Sequence, residues 1–147
     1  MILYADTSAV VKTVLLETDT DRVREWFAVA DQVVSSVLTY AEACAALGRA
    51  HRGRGAATGD LDSLVAELDV QWSEYLVLPV IAQAAGQVAL THGLRGMDAV
   101  QLSAALTLRG AAARHTSDAE IVFAAFDRRL LEAAEREGFA TLGGPLD

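Results

Sequence analysis

The stretch Ile2-Leu3-Tyr4-Ala5-Asp6-Thr7-Ser8, at the start of the chain, decides how the fold begins. Its four leading residues are apolar and predict a short buried strand. The next three form a polar turn whose side chains can cap the N-terminus of a helix. The segment therefore predicts a buried strand that leads through a polar turn into a helix, which is a repeating unit of α/β proteins.

The same alternation of short apolar strands and helices continues along the chain. Strands are predicted at residues 2–5, 32–35, 75–78, 121–124 and 140–142. Helices are predicted at residues 9–16, 22–30, 39–52, 61–72, 81–91, 97–109 and 128–137, and Gly110 and Gly138 are expected to end the last two. This order predicts an α/β fold in which helices cover both faces of a mainly parallel sheet. We expect the Gly-, Ala- and Arg-rich residues 52–59 to form a mobile loop.

The bulk properties of the chain fit one domain in a reducing compartment. Its 147 residues are a common size for a single domain. The only cysteine, Cys44, cannot form an intrachain disulfide. The N-terminus has no signal-peptide pattern, and no apolar run reaches the length of a membrane span. We therefore expect a cytoplasmic protein that makes no membrane contact.

The formal net charge of −8 restricts the possible functions. It argues against a passive nucleic-acid binder, because such proteins normally present a basic surface. It does not exclude a metal-dependent nuclease, because a bound divalent cation reverses the local sign of an acidic site. An acidic chain would also suit a basic protein partner.

Four acidic residues stand where a functional site of an α/β protein is expected. Asp6 and Asp127 follow two predicted strands, and ligands of parallel sheets bind outside the carboxyl ends of the strands. Glu42 and Asp98 lie in the first turns of two otherwise apolar helices. A carboxylate among apolar neighbours is costly unless it is paired, and a divalent cation is one suitable partner.

Each of these acids also has an ordinary structural explanation. Asp6 and Asp127 can serve only as N-caps of the helices that follow them. Glu42 and Asp98 can simply favour the positive end of a helix dipole. The residues alone leave both explanations open, but one parallel sheet would bring all four side chains to the same edge.

Four segments of the sequence, taken together, resemble a known family. They are residues 2–12 (ILYADTSAVVK), 35–42 (SSVLTYAE), 92–105 (HGLRGMDAVQLSAA) and 123–130 (FAAFDRRL). In this order and spacing they are similar to the PIN-domain ribonucleases, and among these to the VapC toxins of type II toxin–antitoxin systems. The resemblance implies a single PIN domain over residues 1–147, folded as a three-layer α/β/α sandwich with a short, mainly parallel central sheet.

The same resemblance implies a metal site. It assigns Asp6, Glu42, Asp98 and Asp127 as ligands of Mg²⁺ or Mn²⁺, with the Ser8 hydroxyl as an auxiliary group. One position departs from the family pattern, because Ala125 stands two residues before the last acid, where Thr or Ser is common. This departure leaves Ser8 as the better hydroxyl candidate.

The activity that the resemblance implies is metal-assisted hydrolysis of RNA phosphodiester bonds. A cation in such a site lowers the pKa of bound water and offsets the charge that develops on the scissile phosphate. Arg95, three residues before Asp98, is a candidate contact to the substrate phosphate. The implied partners are the RNA substrate, a cognate VapB-like antitoxin and a second copy of the chain in a homodimer.

Other classes of α/β protein fit the sequence less well. Neither a P-loop motif nor a Rossmann glycine motif occurs. A receiver-like phosphoryl-transfer protein usually needs a lysine near a later strand, whereas the only lysine here is Lys12. An acidic binding module with a degenerate site is the remaining alternative, and it predicts acids that do not converge or that bind no metal.

Overall fold

The computed structural model describes residues 1–54, 59–115 and 118–144, in which strands and helices alternate. The strands are β1 (Ile2–Ala5), β2 (Gln32–Ser36), β3 (Leu76–Leu78), β4 (Ile121–Ala125) and β5 (Ala140–Gly143). The helices are α1 (Thr7–Val14), α2 (Thr20–Val29), α3 (Thr39–Arg54), α4 (Leu61–Trp72), α5 (Ala82–His92), α6 (Gly96–Arg114) and α7 (Arg128–Arg136). None of the helices in these described ranges is long and apolar enough to cross a membrane.

The five strands form one sheet in the order β3-β2-β1-β4-β5, and every neighbouring pair is parallel. From β1 the chain builds outward through β2 to β3, and it then returns to the other side of β1 to add β4 and β5. The direction of winding therefore reverses between β1 and β4. In open parallel sheets this reversal leaves a crevice at the carboxyl ends of the two central strands, where ligands bind.

Alternation along β1 divides the core into two layers. Leu3 points into a cluster formed with the helices α1, α3 and α4, whereas Tyr4 points into a cluster formed with α6 and α7. Both side chains are fully buried, and the Tyr4 ring stacks on Phe123 of β4 with a centroid distance of 5.2 Å. Successive strand residues face opposite sides of a sheet, so this burial shows that both faces are covered. The predicted α/β/α sandwich with a parallel central sheet is confirmed.

Several predicted helix bounds were wrong: α1 begins and ends two residues earlier than predicted, α2 begins two residues earlier, and helices α3 and α6 end later. Helix α6 does not stop at Gly110 but continues to Arg114, because three alanines follow the glycine and their high helix propensity offsets its cost of about 1 kcal/mol. Helix α3 likewise extends to Arg54, so the first three residues of the predicted 52–59 loop are helical. Residues 55–58 lie outside the described part of the chain.

Candidate active site

The four acids selected from the sequence line one cavity of about 360 Å³ at the carboxyl end of the sheet. Asp6 follows β1 directly, and its backbone N–H donates to the carbonyl of Ala124 in β4 at 3.0 Å. Asp127 comes two residues after β4, while Glu42 and Asp98 lie in the first turns of α3 and α6. The crevice created by the winding of the sheet therefore gathers side chains from four separate parts of the chain.

Asp6 is the most buried of the four acids, with 6% of its surface exposed. It is also the N-cap of α1, because its Oδ1 accepts hydrogen bonds from the Ala9 N–H at 3.1 Å and the Ser8 hydroxyl at 2.6 Å. Its pKa is raised to about 7, mainly by burial and also by the nearby charge of Asp98, while the hydrogen bonds from Ser8 and Ala9 act in the opposite direction. Asp6 is thus a helix N-cap and also lines the acidic cavity.

Asp98 is half-buried, and its surroundings show how close the acids lie. Its pKa is raised first by burial and then by the negative charges of Asp127 and Glu42, while Arg95 and Arg129 act in the opposite direction. Like charges disfavour ionisation only when they are near one another. The carboxylates therefore repel each other across the cavity, and a cation placed among them would relieve this repulsion.

The remaining two acids are held by specific hydrogen bonds. Glu42 accepts a hydrogen bond at its Oε2 from the Thr7 hydroxyl at 2.7 Å, which links α3 to the start of α1. Asp127 is exposed, and its Oδ1 accepts from the Leu130 N–H at 2.9 Å as the N-cap of α7. For both residues one carboxylate oxygen is occupied and the other accepts no hydrogen bond from the described residues.

The donor set fits a hydrated divalent cation better than a fully coordinated one. No three Asp, Glu, His or Cys side chains within the described ranges are arranged so that they could hold one ion together. Mg²⁺ is usually bound through one or two carboxylates and keeps several waters, so it does not need such a group. Four mutually repelling carboxylates around one cavity, with Asp6 strongly desolvated, provide hard oxygen ligands of the required type.

Ser8 and Arg95, the two auxiliary candidates, lie at different parts of this site. The Ser8 hydroxyl donates to Asp6 Oδ1 and accepts from the Phe126 N–H at 2.9 Å, so it joins the loops after β1 and β4. Ala125, which replaces the commoner hydroxyl residue, is fully buried in the core. Arg95 is the N-cap residue of α6, and its side chain lines a neighbouring cavity rather than the one that contains Asp6.

Behind the acids lies a buried polar network that the sequence analysis did not identify. Gln101 is only 2% exposed; its Oε1 accepts from the Tyr4 hydroxyl at 2.8 Å. Its Nε2 donates to the hydroxyls of Thr39 at 3.0 Å and Thr7 at 3.3 Å. Because Thr7 in turn donates to Glu42, the network supports the position of that carboxylate. The only sequence signal was an uncharged polar residue one helical turn after Asp98 in an apolar helix.

Replacement of Gln101 by Leu is expected to lower the free energy of unfolding by about 2 kcal/mol, because buried partners lose their hydrogen bonds. It should also weaken the stabilisation that added Mg²⁺ gives, since Thr7 becomes free to turn away from Glu42. Urea unfolding with EDTA and with Mg²⁺ measures both effects. Gln71→Leu is the matched control, because Gln71 bonds the hydroxyls of Thr13 and Tyr75 away from the acids. An equal loss of Mg²⁺ stabilisation in both variants would contradict this role for Gln101.

Comparison with known proteins agrees with this fold. The profile of the PIN domain family matches residues 3–136. The chain belongs to the PIN domain family. Ribonuclease VapC45 of Mycobacterium tuberculosis is 32% identical to this chain over 153 aligned residues, which cover 99% of this chain and 98% of the relative. Within the PIN domain family, the chain therefore belongs to the group of the VapC proteins.

Several solved structures share the fold. PAE2754 from Pyrobaculum aerophilum has a TM-score of 0.66 and 21% identity, covering 96% of this chain and 83% of that one. VapC20 of Mycobacterium tuberculosis, described as a toxin that cleaves the sarcin–ricin loop, has a TM-score of 0.61 and 16% identity, covering 94% and 96%. VapBC2 from Rickettsia felis, bound to a DNA fragment from its promoter, has a TM-score of 0.61 and 12% identity, covering 97% and 98%.

Proposed function

We propose that this chain is a Mg²⁺- or Mn²⁺-dependent endoribonuclease and the toxin of a type II toxin–antitoxin system. The observation that carries the proposal is the convergence of Asp6, Glu42, Asp98 and Asp127 on one cavity at the crevice between β1 and β4. The family supports the same activity, because a relative that aligns with 99% of this chain is a ribonuclease of the VapC group. The substrate is RNA, and the protein acts on it in the cytoplasm.

The protein contributes chiefly by holding its carboxylates ready for a cation. Among the described residues, Ser8 and the Ala9 N–H donate to Oδ1 of Asp6, and Thr7 donates to Oε2 of Glu42. The second oxygen of each carboxylate accepts none of these hydrogen bonds and would be available to a cation. Asp98 and Asp127 complete the acidic wall of the cavity. When bound, the cation would supply positive charge against the scissile phosphate and would lower the pKa of nearby water.

Two protein partners complete the proposal. Structures with the same fold include the VapBC2 proteins, and we propose a VapB-like antitoxin for this chain as well. We also propose a homodimer, because the edge strand β3, the segment after it and the turn after β2 expose a group of apolar side chains that the core does not use. They are Val37, Leu38, Leu76, Val80 and Ile81, each between 36% and 49% exposed. Exposed apolar patches of this kind mark interaction surfaces.

Metal removal tests the proposed activity. Purified protein treated with EDTA and incubated with total RNA is expected to produce no new RNA ends. Without a cation, the four carboxylates repel the RNA phosphate from the cavity. Added Mg²⁺ or Mn²⁺ should restore cleavage, and sequencing of the 5′ ends would identify the target. Circular dichroism before and after EDTA treatment checks that the fold is unchanged. Cleavage that persists in EDTA would refute the metal mechanism.

A further inference from the structure

The acid cluster lies in the middle of a longer groove. A second cavity of about 790 Å³ adjoins the first, and the two share four lining residues, namely Glu42, Met97, Asp98 and Asp127. The wall of the second cavity on α5 consists of small side chains such as Ala85, Gly86 and Ala89. A chain-like ligand could therefore lie across the acids, with one part in each cavity.

Only a few of the positively charged side chains are available to a ligand in this groove. Ion pairs or hydrogen bonds to the protein occupy Lys12, Arg22, Arg24, Arg54, Arg109 and Arg129. Lys12 lines the smaller cavity, but its ammonium group contacts Glu17 at 2.6 Å and lies 4.7 Å from the centre of the Phe126 ring. Its charge is thus already compensated by the protein.

Two arginines line this groove, on opposite sides of the acids, and neither is committed to a partner in the described part of the chain. Arg49 lines the smaller cavity and Arg95 lines the larger one, and both are exposed. Neither makes a hydrogen bond or a contact ion pair with the described residues, although the charge of Arg95 acts on Asp98. Arg49 is seven residues after Glu42 in α3, which places it on the same helix face about 10 Å further along the axis. Arg95 directly precedes α6, less than one turn before Asp98.

We propose that Arg49 and Arg95 bind backbone phosphates of one single-stranded RNA, on opposite sides of the phosphate that is cleaved. This inference rests on the proposed ribonuclease function and adds the path of the substrate to it. In a chain of net charge −8, a cation at the acids would neutralise the scissile phosphate only, so the flanking phosphates need their own positive partners. Guanidinium groups suit them, because they donate paired hydrogen bonds to phosphate oxygens.

The shape and polarity of the groove favour single-stranded RNA over a basic peptide. With a divalent cation among the four acids, the positive charges of Arg49 and Arg95 would repel a basic segment and attract phosphates. The apolar wall formed by Ala85, Gly86 and Ala89 can contact the faces of unpaired bases, which are accessible only in single strands. The structure thus assigns one phosphate subsite to each end of the groove.

Binding of a fluorescein-labelled 12-nucleotide oligouridylate, measured by fluorescence anisotropy, tests this assignment. The parent is the native protein with Ca²⁺ in place of Mg²⁺, so that all four carboxylates and a divalent cation are kept, and gel electrophoresis after the measurement checks that the RNA is intact. Arg49→Ala and Arg95→Ala are each expected to raise Kd about tenfold, because each removes a charge-assisted hydrogen bond. The slope of log Kd against log salt concentration should also fall by about 0.7 for each lost phosphate contact.

Arg114→Ala and Arg136→Ala are the charge-matched controls. These arginines lie at the C-terminal ends of α6 and α7, and Arg114 is about 24 Å along the helix axis from Asp98. Both controls should bind the RNA as the parent does.

Equal effects in all four variants, or none in the two groove variants, would overturn the assignment. Weaker binding of a basic peptide by the groove variants, with RNA binding unchanged, would also overturn it. If the parent itself fails to bind RNA, the proposed ribonuclease function fails instead.

Discussion

Replacing Asp6 by Asn is expected to lower Mg²⁺-dependent RNA cleavage by about 10³-fold while the protein stays folded. The change removes the negative charge of the most buried carboxylate in the cavity and with it much of the attraction for the cation. Loss of a charge that stabilises the transition state inside a desolvated site has effects of this size. Asn is as good an N-cap as Asp, so the hydrogen bond from the Ala9 N–H can be kept. Initial rates on an identified RNA measure the loss.

Asp60→Asn is the matched control for this prediction. Asp60 is the N-cap of α4 and accepts from the Ser63 N–H at 3.3 Å, so it has the same structural role as Asp6. It is exposed and does not line the acidic cavity. The control should cleave RNA at the native rate. Equal activity of the two variants would show that Asp6 serves only as a helix cap.

The second large expected effect concerns how stability depends on pH when no metal is present. The free energy of unfolding of the Asp6→Asn variant, minus that of the native protein, should increase by about 4 kcal/mol between pH 4 and pH 8. This value follows from the rise of the Asp6 pKa from its ordinary 3.8 to about 7 in the folded protein, because one unit of pKa corresponds to about 1.36 kcal/mol. Asp6 is almost fully buried, so solvent screening reduces the effect little.

The direction of this change in the free energy of unfolding follows from proton linkage. Between pH 4 and 7 the folded protein retains a proton on Asp6 that the unfolded chain has lost, so the native protein loses stability as the pH rises through this range. The Asn variant has no such proton, so its stability does not include this loss as the pH rises. Urea unfolding in EDTA at several pH values measures the difference, which should level off above pH 7. A difference that stays constant with pH would contradict the desolvation of Asp6.

Much of the fold could be predicted because it depends on local patterns. The predicted bounds of β1 and α4 agree with the structure, and the other strands differ by one residue. The failure at Gly110 has a local cause as well, since a glycine followed by three alanines can stay helical. These elements follow from hydrophobic period, capping residues and helix propensity, which neighbouring residues determine.

The position of the acids in the primary sequence was informative for a different reason. In a parallel sheet, any residue that directly follows a central strand, or begins the helix after it, comes to the same edge. Asp6, Glu42 and Asp127 each satisfy this condition, and Asp98 begins a helix that packs on the sheet. Their convergence on one cavity therefore needed only the correct order of strands and helices.

The sequence by itself thus determined the order of strands and helices, the group of proteins to which the chain belongs, and which acids reach the carboxyl edge of the sheet. The tertiary structure alone decided how those acids behave. Gln101 meets Tyr4 across 97 residues of chain, Thr7 meets Glu42 across 35, and the desolvation of Asp6 depends on neighbours from several elements. Hydrogen bonding and burial depend on distances in space, and these exist only once the two core layers have packed against the sheet.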